Sequence, residues 1–193
     1  HAESAALYVP STVRADRSGE PPMNLAMLPG WRTLAAPVLL HEVQVHNATT
    51  LLDADGTAQP WVELVNKTAA PANLLGWALR SETDSWVFPS VTIQPGRMLV
   101  VFLSGKNRNA GPELHSSFLL KQNSKDLSLL QPGGTTANTF TLTQHSVPDV
   151  SFGLAPDLNA VKYFDIPSPG AENNAGLSNL DDLHPDAVIT LTI

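Results

Sequence analysis

The chain has 193 residues, 42% of them hydrophobic and 15% charged, with 16 Pro and 12 Gly, which fits one domain with extensions and excludes a charge-rich disordered chain. Its 11 Lys plus Arg against 18 Asp plus Glu give a net charge of -7 with no basic run, which argues against a phosphate-backbone ligand. The absence of Cys removes disulfides, thiolate catalysis and Cys-ligated zinc.

The N-terminal stretch HAESAALYVP lacks the basic and apolar regions of a signal peptide, and no apolar run reaches the length of a membrane span. Residues 1 to about 36 read as an irregular, Pro-containing arm in which AALYV, including Leu7 and Val9, is capable of pairing as a strand. Alternation then takes over. VLLHEVQVHN is expected to be a strand with Leu39, Val43 and Val45 on one face and Glu42, Gln44 and His46 on the other. Asp55-Gly56 marks a turn, and WVELV places Val62 and Leu64 opposite Trp61, Glu63 and Val65.

Further strands are expected at LLGWALR (74–80), SWVF (85–88), RMLVVFL (97–103), DLSLL (126–130) and DVSFG (149–153), separated by Pro and Gly turns. No amphipathic helix stands out, although Ser178 to Leu183 has a cap followed by acids and suits a helical turn. The chain ends in AVITLTI, a β-prone strip that must find a partner. The pattern implies an all-β protein of sandwich or barrel type.

Several pieces occur together in order: W-V-E-L-x-N-K-T at 61–68, L-x-G-W-x-L at 74–79, W-x-F-P at 86–89, Pro95-Gly96, and L-V-V-F at 99–102. With LHSSFLLKQNSKDLSLLQPGG, DVSFGLAPD and DIPSPGAEN downstream, this series resembles the lamin tail domain, the immunoglobulin-like module of nuclear lamins that also occurs in bacterial exported proteins. The resemblance covers about 37–172. It implies an immunoglobulin-like β-sandwich flanked by arms at 1–36 and 173–193, and a structural or interaction role without catalytic residues. It also implies an extracellular or cell-surface setting, of the bacterial kind. In lamins the strand matching the first piece carries a basic residue where Glu63 stands; the acid here, with the net charge of -7, argues against nucleic-acid partners.

Three chemical readings compete with that role. Glu63 as a general acid needs a second group and a desolvating pocket; an outward strand residue pairing with Lys67 or Arg80 is the simpler expectation. Asp53 and Asp55 of DADG, joined by Glu63 or Asp84, are candidates for a surface calcium site, although Gly56 is fourth rather than sixth and Leu64 is twelfth, unlike an EF-hand. A plain hairpin turn needs no ion. His1 is a candidate copper ligand through its amine and imidazole, as in β-sandwich polysaccharide monooxygenases; the other histidines are dispersed, with His41 and His46 expected on opposite sides of their strand.

No GxSxG, P-loop or GxGxxG occurs. Asn47-Ala48-Thr49 and Asn66-Lys67-Thr68 match the glycosylation pattern. The expected partner is protein, with copies of the chain itself first, joined by a terminal strand completing a neighbour's sheet; Val188, Ile189, Leu191, Ile193, Leu7 and Val9 are the candidate contact residues. The alternative is an accessory module for carbohydrate or nucleic acid, with Trp61 beside Trp31 as a stacking platform and Trp77 and Trp86 buried.

Overall fold

The computed structural model describes residues 36–142 and 147–183. His1, Leu7, Val9, Trp31, Val188, Ile189, Leu191 and Ile193, and the expectations attached to them, lie outside the described residues.

Alternating apolar residues and Pro/Gly turns produce strands, as the pattern requires. They are β1 (Val38–Gln44), β2 (Trp61–Asn66), β3 (Ala72–Asn73), β4 (Ala78–Ser81), β5 (Asp84–Val87) and β6 (Thr92–Ile93). There follow β7 (Met98–Phe102), β8 (Leu114–His115), β9 (Asp126–Leu130), β10 (Thr136–Thr141), β11 (Ser151–Leu154) and β12 (Val161–Phe164). A 3-10 turn at Leu180–Leu183 is the only helix among the described residues, and it falls where the capped acidic stretch suggested.

These strands form a six-stranded sheet in the order β12-β11-β1-β2-β7-β8, a four-stranded sheet in the order β10-β9-β4-β5, and the pair β3-β6. All pairings are antiparallel except β7 with β8. The two larger sheets contribute to one hydrophobic cluster, with Leu40, Val62 and Val101 from the first and Leu79, Leu127 and Phe140 from the second. Removing each such side chain from water contributes roughly 1.5–3 kcal/mol. Phe140 meets Phe152 of the other sheet edge-on, ring centroids 5.5 Å apart, an arrangement aromatic quadrupoles favour.

Two expectations about strands change. Leu40 pairs with Leu64 but Glu42 with Glu63, so His41 is an extra residue in β1. That β-bulge shifts the alternation: Val38 and Leu40 precede it on the core side, Val43 and Val45 follow it, and Leu39 leaves the core face expected for it. The stretch from Leu74 to Trp77 is a turn rather than a strand, closed by Trp77 N–H donating to Leu74 C=O at 2.9 Å with Gly76 at φ +81. A residue at that φ cannot continue a strand, so β4 starts only at Ala78.

Candidate functional site

Glu63 lies, as alternation demands, on the face of β2 opposite Val62 and Leu64. That face is not wet: Glu63 and Glu42 are both 0% exposed and His41 is 1% exposed. The expectation of an outward Glu63 pairing with Lys67 or Arg80 is therefore wrong. Its partners are the His41 imidazole, with Nδ1 2.7 Å from Oε1, and the Gly170 N–H, which donates to Oε2. Sequence alternation tells which side a residue faces; only the folded chain tells that the segment around Ser168 to Asn173 returns to cover that side.

The cover is fastened by acceptors. Glu42 is the cross-strand partner of Glu63, and it accepts the Ser151 hydroxyl and, at 3.2 Å, the Ser168 N–H. Asn173 Nδ2 donates to the carbonyls of Leu154 at 2.8 Å and His41 at 3.3 Å. Beside them, the Trp61 indole N–H donates to Gln44 Oε1 at 2.6 Å, and Gln44 Nε2 donates to Thr50 Oγ1 at 2.9 Å. Burial pushes the Glu42 carboxyl above its ordinary value; the Ser151 and Ser168 hydrogen bonds oppose that, and the Glu63 charge adds to it. Two carboxylates and an imidazole thus sit together, but buried and committed to holding chain, away from the solvent where a general acid would meet a substrate.

The second polar cluster joins the DADG turn to the loop after β7. Asp53 Oδ1 accepts the N–H groups of Asp55 and Thr57, both at 3.0 Å, and its other oxygen receives Lys106 Nζ. Asp55 Oδ2 accepts Lys106 Nζ at 2.6 Å and Arg108 at 2.5 Å. The calcium constellation is accordingly not assembled: Lys106 and Arg108 supply the positive charge at Asp53 and Asp55, Glu63 is bound to His41, and Asp84 stands exposed on β5. Among the described residues no group of three or more His, Asp or Glu is placed to hold a metal ion.

Both aspartates are held below the ordinary carboxylate range. For Asp53, burial works upward but is outweighed by Lys106 and the turn N–H groups; for Asp55, the Lys106 and Arg108 hydrogen bonds dominate. Sequence reading missed these cations, although Lys106 and Arg108 share the i, i+2 spacing of Asp53 and Asp55; the chain distance between them hid the match.

Next to this clamp, Ser104 Oγ lies 2.8 Å from His115 Nδ1, and His115 Nε2 lies 3.3 Å from Glu113 Oε1. The order serine, histidine, acid evokes a hydrolase triad, but His115 is 0% exposed and stacks on Phe102. Burial lowers its pKa. Glu113 is engaged by the Ala54 N–H at 2.7 Å and His115 Nε2 has no hydrogen-bond partner among the described residues, so these contacts pin one loop against another without linking into a relay.

Both glycosylation patterns are closed. Asn47 Nδ2 donates to the carbonyls of Leu51 at 2.5 Å and Gln59 at 2.8 Å, and Asn66 Nδ2 to those of Ala70 at 2.8 Å and Ile93 at 2.9 Å. Trp61 is fully buried, so it offers no stacking platform, while Trp77 and Trp86 are buried as expected. The bulge at His41 also removes the basis for placing His41 and His46 on opposite sides, since His41, Glu42 and Gln44 all contact the Trp61 and Glu63 side.

The profile of the Lamin Tail Domain family matches residues 37–144, more than half of the chain. No curated protein matches it. The matched span ends before β11 and β12, yet β11 pairs with β1 and β12 with β11, and together they complete the six-stranded sheet. This family is a non-catalytic structural and binding module.

Proposed function

The chain belongs to the lamin tail domain family, and from that premise we propose that it is an exported structural module acting through protein contacts. The two larger sheets share one core, which supports reading them as an immunoglobulin-like sandwich spanning about 37–172 between two arms. The observation that carries the proposal is how its chemistry is spent. Glu42, Glu63, His41 and His115 are buried and engaged within the chain, while large apolar side chains stand in solvent at Leu75, Val87 and Ile166. Those exposed side chains offer contact area, whereas the buried polar groups are not presented to a partner.

The finer reading is self-assembly at the cell surface, with the terminal strip AVITLTI of one copy adding to a sheet of the next. Head-to-tail addition of this kind propagates as an open filament when the rotation between copies does not close. Deleting residues 185–193 tests it: the shortened chain stays folded and becomes monomeric by light scattering, and unchanged assembly removes the reading. The accessory-module alternative loses its platform with the burial of Trp61.

A further inference from the structure

Two of the four outer edges of the two larger sheets carry backbone partners, and a third, β10, is tied to β1 through a side chain. Tyr163 of β12 exchanges hydrogen bonds with Leu177 at 3.0 and 2.7 Å, and His115 of β8 donates its N–H to Arg108 C=O at 3.0 Å. Beside β10, the Asn138 side chain reaches across to the Leu40 backbone. The remaining edge is β5. Its hairpin with β4 pairs Ser81 with Asp84 and Leu79 with Trp86, and Phe88 N–H continues the ladder to Trp77 C=O at 2.9 Å. In an antiparallel ladder alternate residues bond alternate sides. Asp84, Trp86 and Phe88 therefore bond toward β4, and the N–H and C=O groups of Ser85 and Val87 point outward. Among the described residues nothing pairs with them.

Exposed edges are ordinarily blunted by Lys, Pro, a bulge or a cover. Within β5 there is no Lys, Pro or bulge; its one charged residue is Asp84 at the hairpin end, and Pro89 follows only after the strand has ended. Side chains there also sort by face. Trp86 points into the core, 3% exposed, whereas Val87 is 59% exposed. The sequence of 187–193 offers a matching pattern: as a strand it would set Ile189, Leu191 and Ile193 on one side and Val188, Thr190 and Thr192 on the other. Laid along β5, the first set extends the apolar face beside Trp86, and the second lies beside Ser85 and Val87.

We propose that the Ser85 to Val87 edge of β5 is the acceptor for residues 187–193 of a second copy of this chain. The proposal rests on the self-assembly reading above and names its receiving surface. It is tested on the full chain with Ser85→Pro, which deletes an outward N–H at a position where an edge strand tolerates proline, and with Val87→Lys, which charges the edge and leaves the backbone intact. Each variant that keeps the parent's near-UV circular dichroism is expected to weaken association about tenfold or more in concentration-dependent light scattering. Should Ser85→Pro fail to fold, Val87→Lys decides. A folded Val87→Lys chain that assembles like the parent overturns the β5 assignment, and the terminal-strand reading survives if the 185–193 deletion still gives monomers. A parent that is monomeric throughout, or a deletion that still assembles, overturns both.

Discussion

The Asn138 carboxamide behaves as a short piece of strand for Leu40: its Oδ1 accepts the Leu40 N–H at 2.9 Å and its Nδ2 donates to the Leu40 C=O at 3.0 Å. The pairing exists because β11 reaches β1 only at Glu42 and Val43, leaving the outer side of Leu40 without a neighbouring strand. One side chain of the four-stranded sheet thereby satisfies a fully buried residue of the six-stranded sheet.

Asn138→Ala removes both bonds at once and leaves a buried N–H and C=O unpaired, which costs about 1–3 kcal/mol. The expected result is a lower urea midpoint with an unchanged slope. Asn138→Asp keeps an acceptor but sets a carboxylate against the Leu40 carbonyl, so it is expected to lose at least as much. A midpoint indistinguishable from the parent's in both variants shows that the amide does not join the sheets energetically.

Glu42 imposes an unusual pH dependence. Burial raises its carboxyl above the ordinary 4.5, so between 4.5 and the raised value the folded chain holds a proton that the unfolded chain has lost. The folded state then binds more protons, and the Glu42 contribution to stability falls as pH rises through that window. Below 4.5 both states are protonated and the contribution is at its most favourable. In Glu42→Gln this dependence disappears, so the variant's deficit relative to the parent is largest near about pH 4 and shrinks toward about pH 8. Urea titrations across that range measure it; a constant offset counts against the buried-charge account.

The Lys106 clamp acts with the opposite sign. Asp53 and Asp55 are held below their ordinary 3.8, so their contribution is complete above that value and is lost as pH falls through the depressed range, where the folded carboxylates finally take protons. Lys106→Met is expected to narrow the stability gap between neutral and acid pH, the parent's advantage being present above 3.8 and vanishing below the depressed range. Added salt weakens the advantage, because Asp55 and Lys106 are partly solvated. Acid-unfolding curves for the two proteins that run parallel would place the lowered carboxyls elsewhere, with Asp149, held down by the Thr49 and Ala48 N–H groups against its burial, as the first alternative.

What was legible in the sequence follows from which forces act locally. β2 and β9 could be read because their side chains alternate against a core, and the face of Glu63 was read correctly for the same reason. Its burial was not, because the covering segment DIPSPGAEN has no apolar period and is held instead by Ser168, Gly170 and Asn173 hydrogen bonds. β10, written TANTFT, offers mostly polar residues and was missed; its place in the sheet is settled by pairing with β9. The bulge at His41 was equally invisible, since it is fixed by register against β2 rather than by any residue preference.

Neither sequon is expected to carry sugar. An attached glycan would consume an Nδ2 hydrogen at Asn47 or Asn66, whose amides are buried and donate to two carbonyls each. Secretion through a eukaryotic host should give a product whose mass is unchanged by glycosidase. A glycosidase-sensitive mass increment on folded protein contradicts the placement of these side chains. Asn66→Gln, which displaces the amide from the Ala70 and Ile93 carbonyls, is expected to cost about 1–3 kcal/mol.

Gly153→Ala is expected to be among the most damaging single-methyl additions. Gly153 pairs with Glu42, and a Cβ there would press into the His41 carbonyl oxygen and come within 2.8 Å of Glu42 Cα. Both obstacles are backbone, so no side chain can swing aside; β1 and β11 must separate. The bulge is what brings His41 so close, and Asn173 spans the same two strands by donating to His41 C=O and Leu154 C=O. Overpacking of this kind costs about 1–3 kcal/mol and occasionally more. Separation of the strands would also loosen Asn173 and the Ser168 to Gly170 cover over Glu42 and Glu63. The variant should therefore show both a lower urea midpoint and faster protease cleavage between Asp165 and Asn173. A lower midpoint without faster cleavage would mean that the cover is fastened by the carboxylates alone, independently of the β1 and β11 spacing.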